Sequence, residues 1–315
     1  MDLDMLSFLT SPEIIIPVLV STVQAGTPVL YATLGEIITE RSGILNLGVE
    51  GLMIMGAFFA FIIQLHTGNP WLAALGAGIG VAALSLIHGV VCLLFQGNQV
   101  VSGLAITIFG VGLADYLGTP YVGTVTTGFQ PSVTPVLGSI PILGEIFFSL
   151  DPLVTLSLFV APLLWIFFTR TPFGLGLCAA GENPSAVAAA GLNPVLLRWI
   201  GIFAGGFLVG VGGAYLSLAY THTWTFNLTA GRGWIAVALV IFAFWRPGRA
   251  ILGAYLFGGV MAIQLRLQAL GATVPSSLMM MLPYMLTLLV LLYSSARGKG
   301  RSAPAALGVN IPPRD

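Results

Sequence analysis

The sequence predicts an all-α membrane protein, a polytopic bundle of about 8–10 transmembrane helices that includes one short or broken helix. Apolar residues make up 57% of the 315 residues and charged residues only 7%. An ordinary soluble domain carries roughly 25% charged residues, so this chain has too few charges to build a water-exposed surface. The mean hydropathy of +0.99 and the 40 glycines are typical of packed membrane helices.

Nine apolar segments are candidate spans: 14–34, 46–65, 71–95, 100–118, 152–169, 196–220, 234–245, 250–270 and 277–293. A straight span needs roughly 20 residues, so 234–245 is too short. We interpret it as half of a broken or re-entrant element, which is tolerated at membrane depth only where protein covers it. Three segments begin with a capping side chain followed by proline, which favours genuine helix starts: Ser11-Pro12, Asn69-Pro70 and Asp151-Pro152.

The basic residues predict the orientation. One arrangement puts nine of the 11 basic residues on the cytoplasmic side, and the opposite arrangement inverts that ratio against the positive-inside rule. The N-terminus is therefore expected outside and the C-terminus in the cytoplasm. Residues 1–296 form the predicted transmembrane domain, and the proline-containing residues 297–315 form a predicted flexible cytoplasmic tail.

A short helix is predicted on the cytoplasmic side. Asn183 suits an N-cap, Pro184 the first helical position and Gly191 a left-handed C-cap. The intervening two turns, about 10 Å long, cannot span a membrane. They are also too short to be stable alone. The side chains are mostly methyl groups, so the helix is either a docking element for another protein or an interfacial helix on its own bundle.

Two runs of sequence carry a resemblance to a known family. The run Gly181-Glu182-Asn183-Pro184, followed by Ala189-Ala190-Gly191 and Asn193, resembles the coupling-helix segment of ATP-binding-cassette (ABC) importer permeases. The group concerned transports branched-chain amino acids, ribose-type sugars and nucleosides. Within it, ERSG at 40–43 and NLGVEG at 46–51 resemble the nucleoside and general sugar permeases. The resemblance covers nearly the whole chain.

The resemblance implies a permease subunit of the bacterial cytoplasmic membrane that translocates a nucleoside, with a simple sugar or a branched-chain amino acid as alternatives. The implied partners are a second permease subunit, two cytoplasmic ATPase subunits, an extracytoplasmic binding protein and membrane lipid. The resemblance implies that the short cytoplasmic helix is the coupling helix, which docks on the ATPase. The residues expected to contact the ATPase are Gly181, Glu182, Asn183, Pro184, Ala189, Ala190 and Gly191.

The composition excludes several other functions. The phosphate-binding loop of ATPases requires a lysine in a glycine-rich pattern, and the single lysine, Lys299, lies outside any such pattern. ATP would therefore be used by a partner, and no cofactor, metal site or catalytic residue is expected in this chain. Zero net charge without a basic stripe argues against nucleic acid. A secondary transporter or channel remains the alternative, although Glu50 is its sole candidate proton site.

Four polar residues are candidates for lining the transport pathway: Asn46, Glu50, Gln99 and Gln264. Asn46 and Glu50 are four apart, so we expect them on one helix face. Glu50 begins an apolar run, where a charge is costly unless it faces a cavity or a partner. The alternative is a hydrogen bond that fixes the helix start. Amides such as Gln264 both donate and accept, which suits hydroxyl-rich or heterocyclic substrates.

Other polar residues have simpler expected positions. Glu36, Glu40 and Arg41 are expected to be solvated at the cytoplasmic face. Arg266 is expected to extend to the outer interface or to pair inside the bundle. Trp224 and Phe226 are predicted interfacial anchors, with contact to a binding protein as the alternative.

Overall fold

The structure, a computed structural model, describes residues 12–269 except 136 and 142, scattered residues between 278 and 292, and residues 303–311. The ninth predicted span, 277–293, lies largely outside the described residues, and Ser11 lies outside them entirely.

The described part of the chain is built from α-helices. They are α1 (Pro12–Arg41), α2 (Val49–Thr67), α3 (Pro70–Gly89), α4 (Gln99–Gly118), α5 (Pro152–Arg170), α6 (Pro172–Glu182), α7 (Pro184–Ala189), α8 (Pro194–Tyr215), α9 (Arg232–Ala243) and α10 (Pro247–Ala269). Single π-helical turns extend α3 through Val90–Leu94 and α8 through Leu216–Tyr220. Within these residues seven helices are long and apolar enough to cross a membrane, which confirms a polytopic all-α membrane protein.

Capping side chains hold two of the three predicted helix starts. Asn69 Oδ1 accepts hydrogen bonds from the backbone N–H groups of Trp71 and Leu72 at the start of α3. Asp151 Oδ1 does the same for the first turn of α5, at 3.0 and 3.2 Å. Burial raises the pKa of the Asp151 carboxyl, while the backbone donors of the helix favour its charged form.

Helix α8 is the centre of the bundle, since it packs against α1, α2 and α3. Glycines bring these helices into backbone contact. A Cβ atom on Gly35 would lie 2.5 Å from the carbonyl oxygen of Gly205, and one on Gly56 would lie 2.6 Å from that of Gly210. A larger side chain at either crossing would force the helices apart.

The short segment near residue 240 is a real element of the fold. Helix α9 has only 12 residues and packs against α1, α2 and α10. Ile235, Ala236, Leu239 and Val240 are almost fully buried. Protein therefore covers α9, as the prediction of a short or broken helix requires.

Helix α1 is longer than predicted, and its polar end is not solvated. It runs on to Arg41, and Glu36 and Glu40 are 0% and 2% exposed. Their expected solvation is wrong because the end of α9 and the turn after α1 cover them. The Trp245 indole N–H donates to Glu40, and the Asn46 backbone N–H donates to Glu36.

The predicted interfacial role of Trp224 is also wrong. Its side chain is fully buried, and its ring centroid lies 5.3 Å from that of Phe58. The long segment 119–151 folds back over it, and Gly123 N–H donates to the Trp224 carbonyl at 2.9 Å. Phe226, by contrast, is 48% exposed.

Candidate functional site

A cavity of about 590 Å³ lies between α2, α4, α9 and α10. Its wall contains Glu50, Thr107, Val111, Asn227, Ala230, Gly231, Arg232, Trp234, Ile235, Met261, Gln264, Leu265 and Tyr284. The volume falls within the range of small-molecule sites, about 300–1,000 Å³. Two of the four predicted pathway residues, Glu50 and Gln264, therefore meet in one cavity although they are far apart in sequence.

Glu50 fixes the segment that enters α9. Its Oε1 accepts hydrogen bonds from the Thr229 hydroxyl at 2.5 Å and the Gly231 backbone N–H at 2.9 Å. Its Oε2 accepts one from the Gly233 backbone N–H at 2.7 Å. The carboxylate thus faces the N-terminus of α9, where unpaired N–H groups and the helix dipole favour negative charge. Glu50 therefore fixes a helix start, that of α9, and it also borders the cavity. Its role in lining the transport pathway stays a prediction.

The other end of α9 is held by the end of α1. The indole Nε1–H of Trp245 donates to Glu40 Oε2 at 2.5 Å, and Arg41 Nε donates to the Trp245 carbonyl at 2.8 Å. Phe244 and Trp245 have positive φ angles of 51° and 54°, which end the helix sharply. Two acidic side chains, one from α1 and one from α2, therefore hold the two ends of the short helix that lines the cavity.

The side chain of Gln264 borders the same cavity. Gln264 is only 9% exposed, and within the described residues its side chain makes no hydrogen bond. Asn227 brings a second amide to the same cavity, and Trp234 and Tyr284 bring aromatic rings.

Arg266 lies apart from this cavity. It borders a smaller cavity of about 350 Å³ together with Gln24 and Tyr220. Arg232 does reach the main cavity, and its guanidinium donates to the Leu228 and Thr229 carbonyls.

Asn46 and Gln99 do not border the main cavity. The expectation that Asn46 and Glu50 share a helix face is wrong, because α2 begins only at Val49. Asn46 Oδ1 accepts from Gly48 N–H at 2.8 Å and closes the turn before the helix. Gln99 Oε1 accepts from Leu45 N–H at 2.8 Å, and its amide donates to Asn310 Oδ1 at 3.1 Å.

Helix α7 has the caps that the sequence predicts. Asn183 Oδ1 accepts from Ala186 N–H at 3.0 Å, and Gly191 has a φ of +82°. Val187 is buried and packs against Ala180 and Leu197, so one side of α7 rests on the bundle. The opposite side is exposed and includes Ala189, Ala190 and Gly191.

Sequence reasoning missed the segment that covers this end of the bundle. Residues 303–311, predicted to be part of a flexible tail, are hydrogen bonded to the residues on both sides of α7 and to two inter-helix turns. A flexible end is therefore wrong for these residues. The proline content of this segment suggests flexibility. The residues that form hydrogen bonds with it lie more than 100 residues away, so the sequence near residues 303–311 does not indicate them.

Comparison with known proteins decides the family. The family model described as the permease component of branched-chain amino acid transport systems matches residues 18–291, most of the chain. The chain belongs to this permease family. It is therefore a membrane-spanning component of an ABC transporter rather than an enzyme, and its family works with ATPase and substrate-binding partners.

Three relatives show what this permease resembles. The putative glucose ABC transporter permease protein TsgC13 of Haloferax volcanii is 44% identical over 79% of this chain and 77% of its own length. The guanosine ABC transporter permease protein NupQ of Bacillus subtilis is 34% identical over 94% and 96%. The nucleoside ABC transporter permease protein NupC of Lactococcus lactis is 35% identical over 90% and 93%. No solved structure matches the permease.

Proposed function

We propose that this permease carries a nucleoside across the cytoplasmic membrane, as the translocating subunit of an importer powered by a separate ATPase. Two relatives named for guanosine or nucleoside transport align with 94% and 90% of the chain, which supports a nucleoside substrate. The substrate would pass the cavity beside Glu50 and Gln264.

The observation that carries the substrate assignment is the alignment of the two nucleoside permeases with nine-tenths or more of the chain. The cavity is compatible with it, because the largely buried Gln264 amide lies in the cavity wall. Nucleobases present hydrogen-bond donors and acceptors on one edge, which an amide complements with both of its own groups. They also present flat faces, which the rings of Trp234 and Tyr284 suit. A nucleoside uses both kinds of group at once.

Glucose is the second candidate. The relative named as a putative glucose permease has 44% identity, and amides also bind sugar hydroxyls. An aromatic ring stacks on the apolar face of a sugar, so the cavity alone accommodates both classes.

Helix α7 is proposed to be the cytoplasmic contact for the ATPase. Of the seven coupling residues that the resemblance implies, Asn183 and Pro184 form the helix start, while Gly181 and Glu182 bind residues 305–306. The exposed Ala189, Ala190 and Gly191 remain for a partner. A complete importer would contain two permease subunits, two ATPase subunits and an extracytoplasmic binding protein.

Uptake by reconstituted vesicles tests the substrate. The permease, its second permease subunit, its ATPase and its binding protein are assembled. Uptake of radiolabelled guanosine and glucose is then measured with ATP and with a non-hydrolysable analogue. We expect ATP-dependent guanosine uptake that excess unlabelled glucose does not reduce. ATP-dependent glucose uptake without guanosine uptake would establish the second candidate instead.

Labelling of single cysteines tests the orientation. In a Cys178→Ser background, Ala189→Cys is treated with a membrane-impermeant maleimide in intact and in permeabilised cells. The matched site at the other end of the bundle is Val133→Cys, whose native side chain is 68% exposed. We expect Ala189→Cys to react only after permeabilisation and Val133→Cys to react in both. Reaction of Ala189→Cys in intact cells would contradict a cytoplasmic α7.

A further inference from the structure

Residues 303–311, which we name the strap, bind the residues that immediately precede α7. Ala306 N–H donates to the Gly181 carbonyl at 2.8 Å, and Ala305 N–H donates to Glu182 Oε2 at 3.2 Å. Gly181 is itself wedged in place, since a Cβ there would lie 2.3 Å from the Arg41 carbonyl oxygen. The strap therefore holds the junction of α6 and α7 against the end of α1.

The strap also binds the helix that follows α7. Arg198 in α8 is 0% exposed, and its guanidinium donates to the carbonyls of Val309 at 2.7 Å and Ala306 at 3.3 Å. Within the described residues no carboxylate pairs with Arg198, so strap carbonyls supply its hydrogen-bond acceptors. Gly43, in the turn between α1 and α2, packs on the guanidinium and accepts from Gly308 N–H at 3.3 Å.

The far end of the strap binds the turn between α3 and α4. The Asn310 amide donates to the Gln96 carbonyl at 2.6 Å and to the Gly97 carbonyl at 3.2 Å. Asn310 Oδ1 accepts from Gln99, whose own Oε1 accepts from Leu45 N–H. Gln99 thus joins the strap to the turn between α1 and α2.

We propose that the strap transmits movement of α7 to the cavity, with Arg198 and Asn310 as positioning residues. The proposal rests on the assignment of α7 as the ATPase contact. The strap binds both flanks of α7, so a shift of α7 displaces the strap. Its other contacts are the turns that lead into α2 and α4, the helices that carry Glu50 and Thr107 in the cavity wall. Hydrogen bonds and helices form a continuous connection from α7 to the substrate site.

Asn310→Ala tests this connection in the assembled transporter. The change removes three side-chain hydrogen bonds from a half-buried residue and leaves the strap backbone intact. We expect ATPase binding and basal ATP hydrolysis to persist, while guanosine taken up per ATP hydrolysed falls by about threefold or more. The matched control is Val309→Ala, because the Val309 side chain is 55% exposed and only its carbonyl binds Arg198. If Asn310→Ala takes up as much guanosine per ATP hydrolysed as Val309→Ala does, the proposal is overturned.

Hydrogen exchange provides a test that needs no variant. In the intact permease, the peptide that contains Ala305, Ala306 and Gly308 should exchange much more slowly than an unstructured peptide, and binding of the ATPase should alter its rate. Exchange at the rate of a free chain, with or without the ATPase, would overturn the strap assignment. Failure of the proposed function would give a different result. The unmodified complex would then show no ATP-dependent uptake, while the strap amides would remain protected from exchange.

Discussion

Glu50 Oε2 accepts a hydrogen bond of 2.7 Å from the backbone N–H of Gly233, 183 residues further along the chain. This contact joins the first turn of α2 to the first turn of α9. Trp245 and Glu40 make the corresponding contact at the other end of α9, at 2.5 Å. A helix of 12 residues cannot cross a membrane by itself. These two contacts allow it to form a fixed part of the cavity wall.

Replacing Glu50 should destabilise the cavity wall. Glu50→Ala leaves the Thr229 hydroxyl and two backbone N–H groups without an acceptor, and each unpaired buried group costs about 1–3 kcal/mol. We expect a loss of roughly 3 kcal/mol or more, seen as a lower thermal unfolding temperature of the detergent-solubilised permease. Glu50→Gln should lose less, because it keeps one carbonyl acceptor. The control is Glu145→Gln, an exposed carboxylate. Equal unfolding temperatures for Glu50→Ala and this control would contradict the assignment.

Loss of the contact between Trp245 and Glu40, at the other end of α9, should reduce stability by a smaller amount. Trp245→Phe removes the indole donor while keeping an aromatic ring, so the buried Glu40 carboxyl loses a partner. An unpaired buried hydrogen-bonding group costs about 1–3 kcal/mol, and a loss of that size should lower the unfolding temperature. Trp165→Phe is the control, since Trp165 is 51% exposed. If Trp245→Phe and Trp165→Phe unfold at the same temperature, the Trp245 indole does not stabilise the end of α9.

The sequence predicts the helices better than it predicts the contacts between them. Most helix positions follow from apolar runs and from caps such as Asn69 and Asp151, which are local signals. The burial of Glu36 and Glu40 was missed because hydropathy assigns carboxylates to solvent unless a partner is known. The partner of Glu40 is Trp245, 205 residues away. Only the three-dimensional structure brings such residues together.

The candidate site shows the same limit. Glu50 and Gln264 were identified as polar interruptions of apolar helices, which is a local signal. Asn227, Trp234 and Tyr284 were not, because aromatic and amide residues near helix ends are common. Asn46 was misplaced because the turn that it closes resembles a helix start in sequence.

A charged side chain on the exposed side of α7 should disrupt contact with the ATPase. Ala189→Glu adds bulk and charge to a methyl surface and touches nothing in the permease core, so membrane insertion should be unchanged. We expect uptake to fall by about tenfold or more, as for the central residues of a protein interface. Recovery of the ATPase with the affinity-purified permease reports binding directly. Val133→Glu, at an exposed residue of the segment 119–151, is the control. If ATPase recovery and uptake both survive Ala189→Glu, α7 is not the docking helix.

The Gln264 amide should determine how the substrate is bound. Gln264→Leu keeps the size of the side chain and removes its polar atoms, so a ligand group that pairs with the amide is left unsatisfied. Such a loss corresponds to about tenfold in the KM for guanosine uptake. Ile263→Leu, a neighbouring exposed position, should leave KM unchanged, and equal KM values for the two variants would exclude Gln264 from the site.

Gln264→Glu separates the two functions of the amide, because a carboxylate still accepts but no longer donates. If the substrate presents a carbonyl to Gln264, Gln264→Glu should be as impaired as Gln264→Leu. If it presents an N–H or hydroxyl donor, Gln264→Glu should retain most of its affinity.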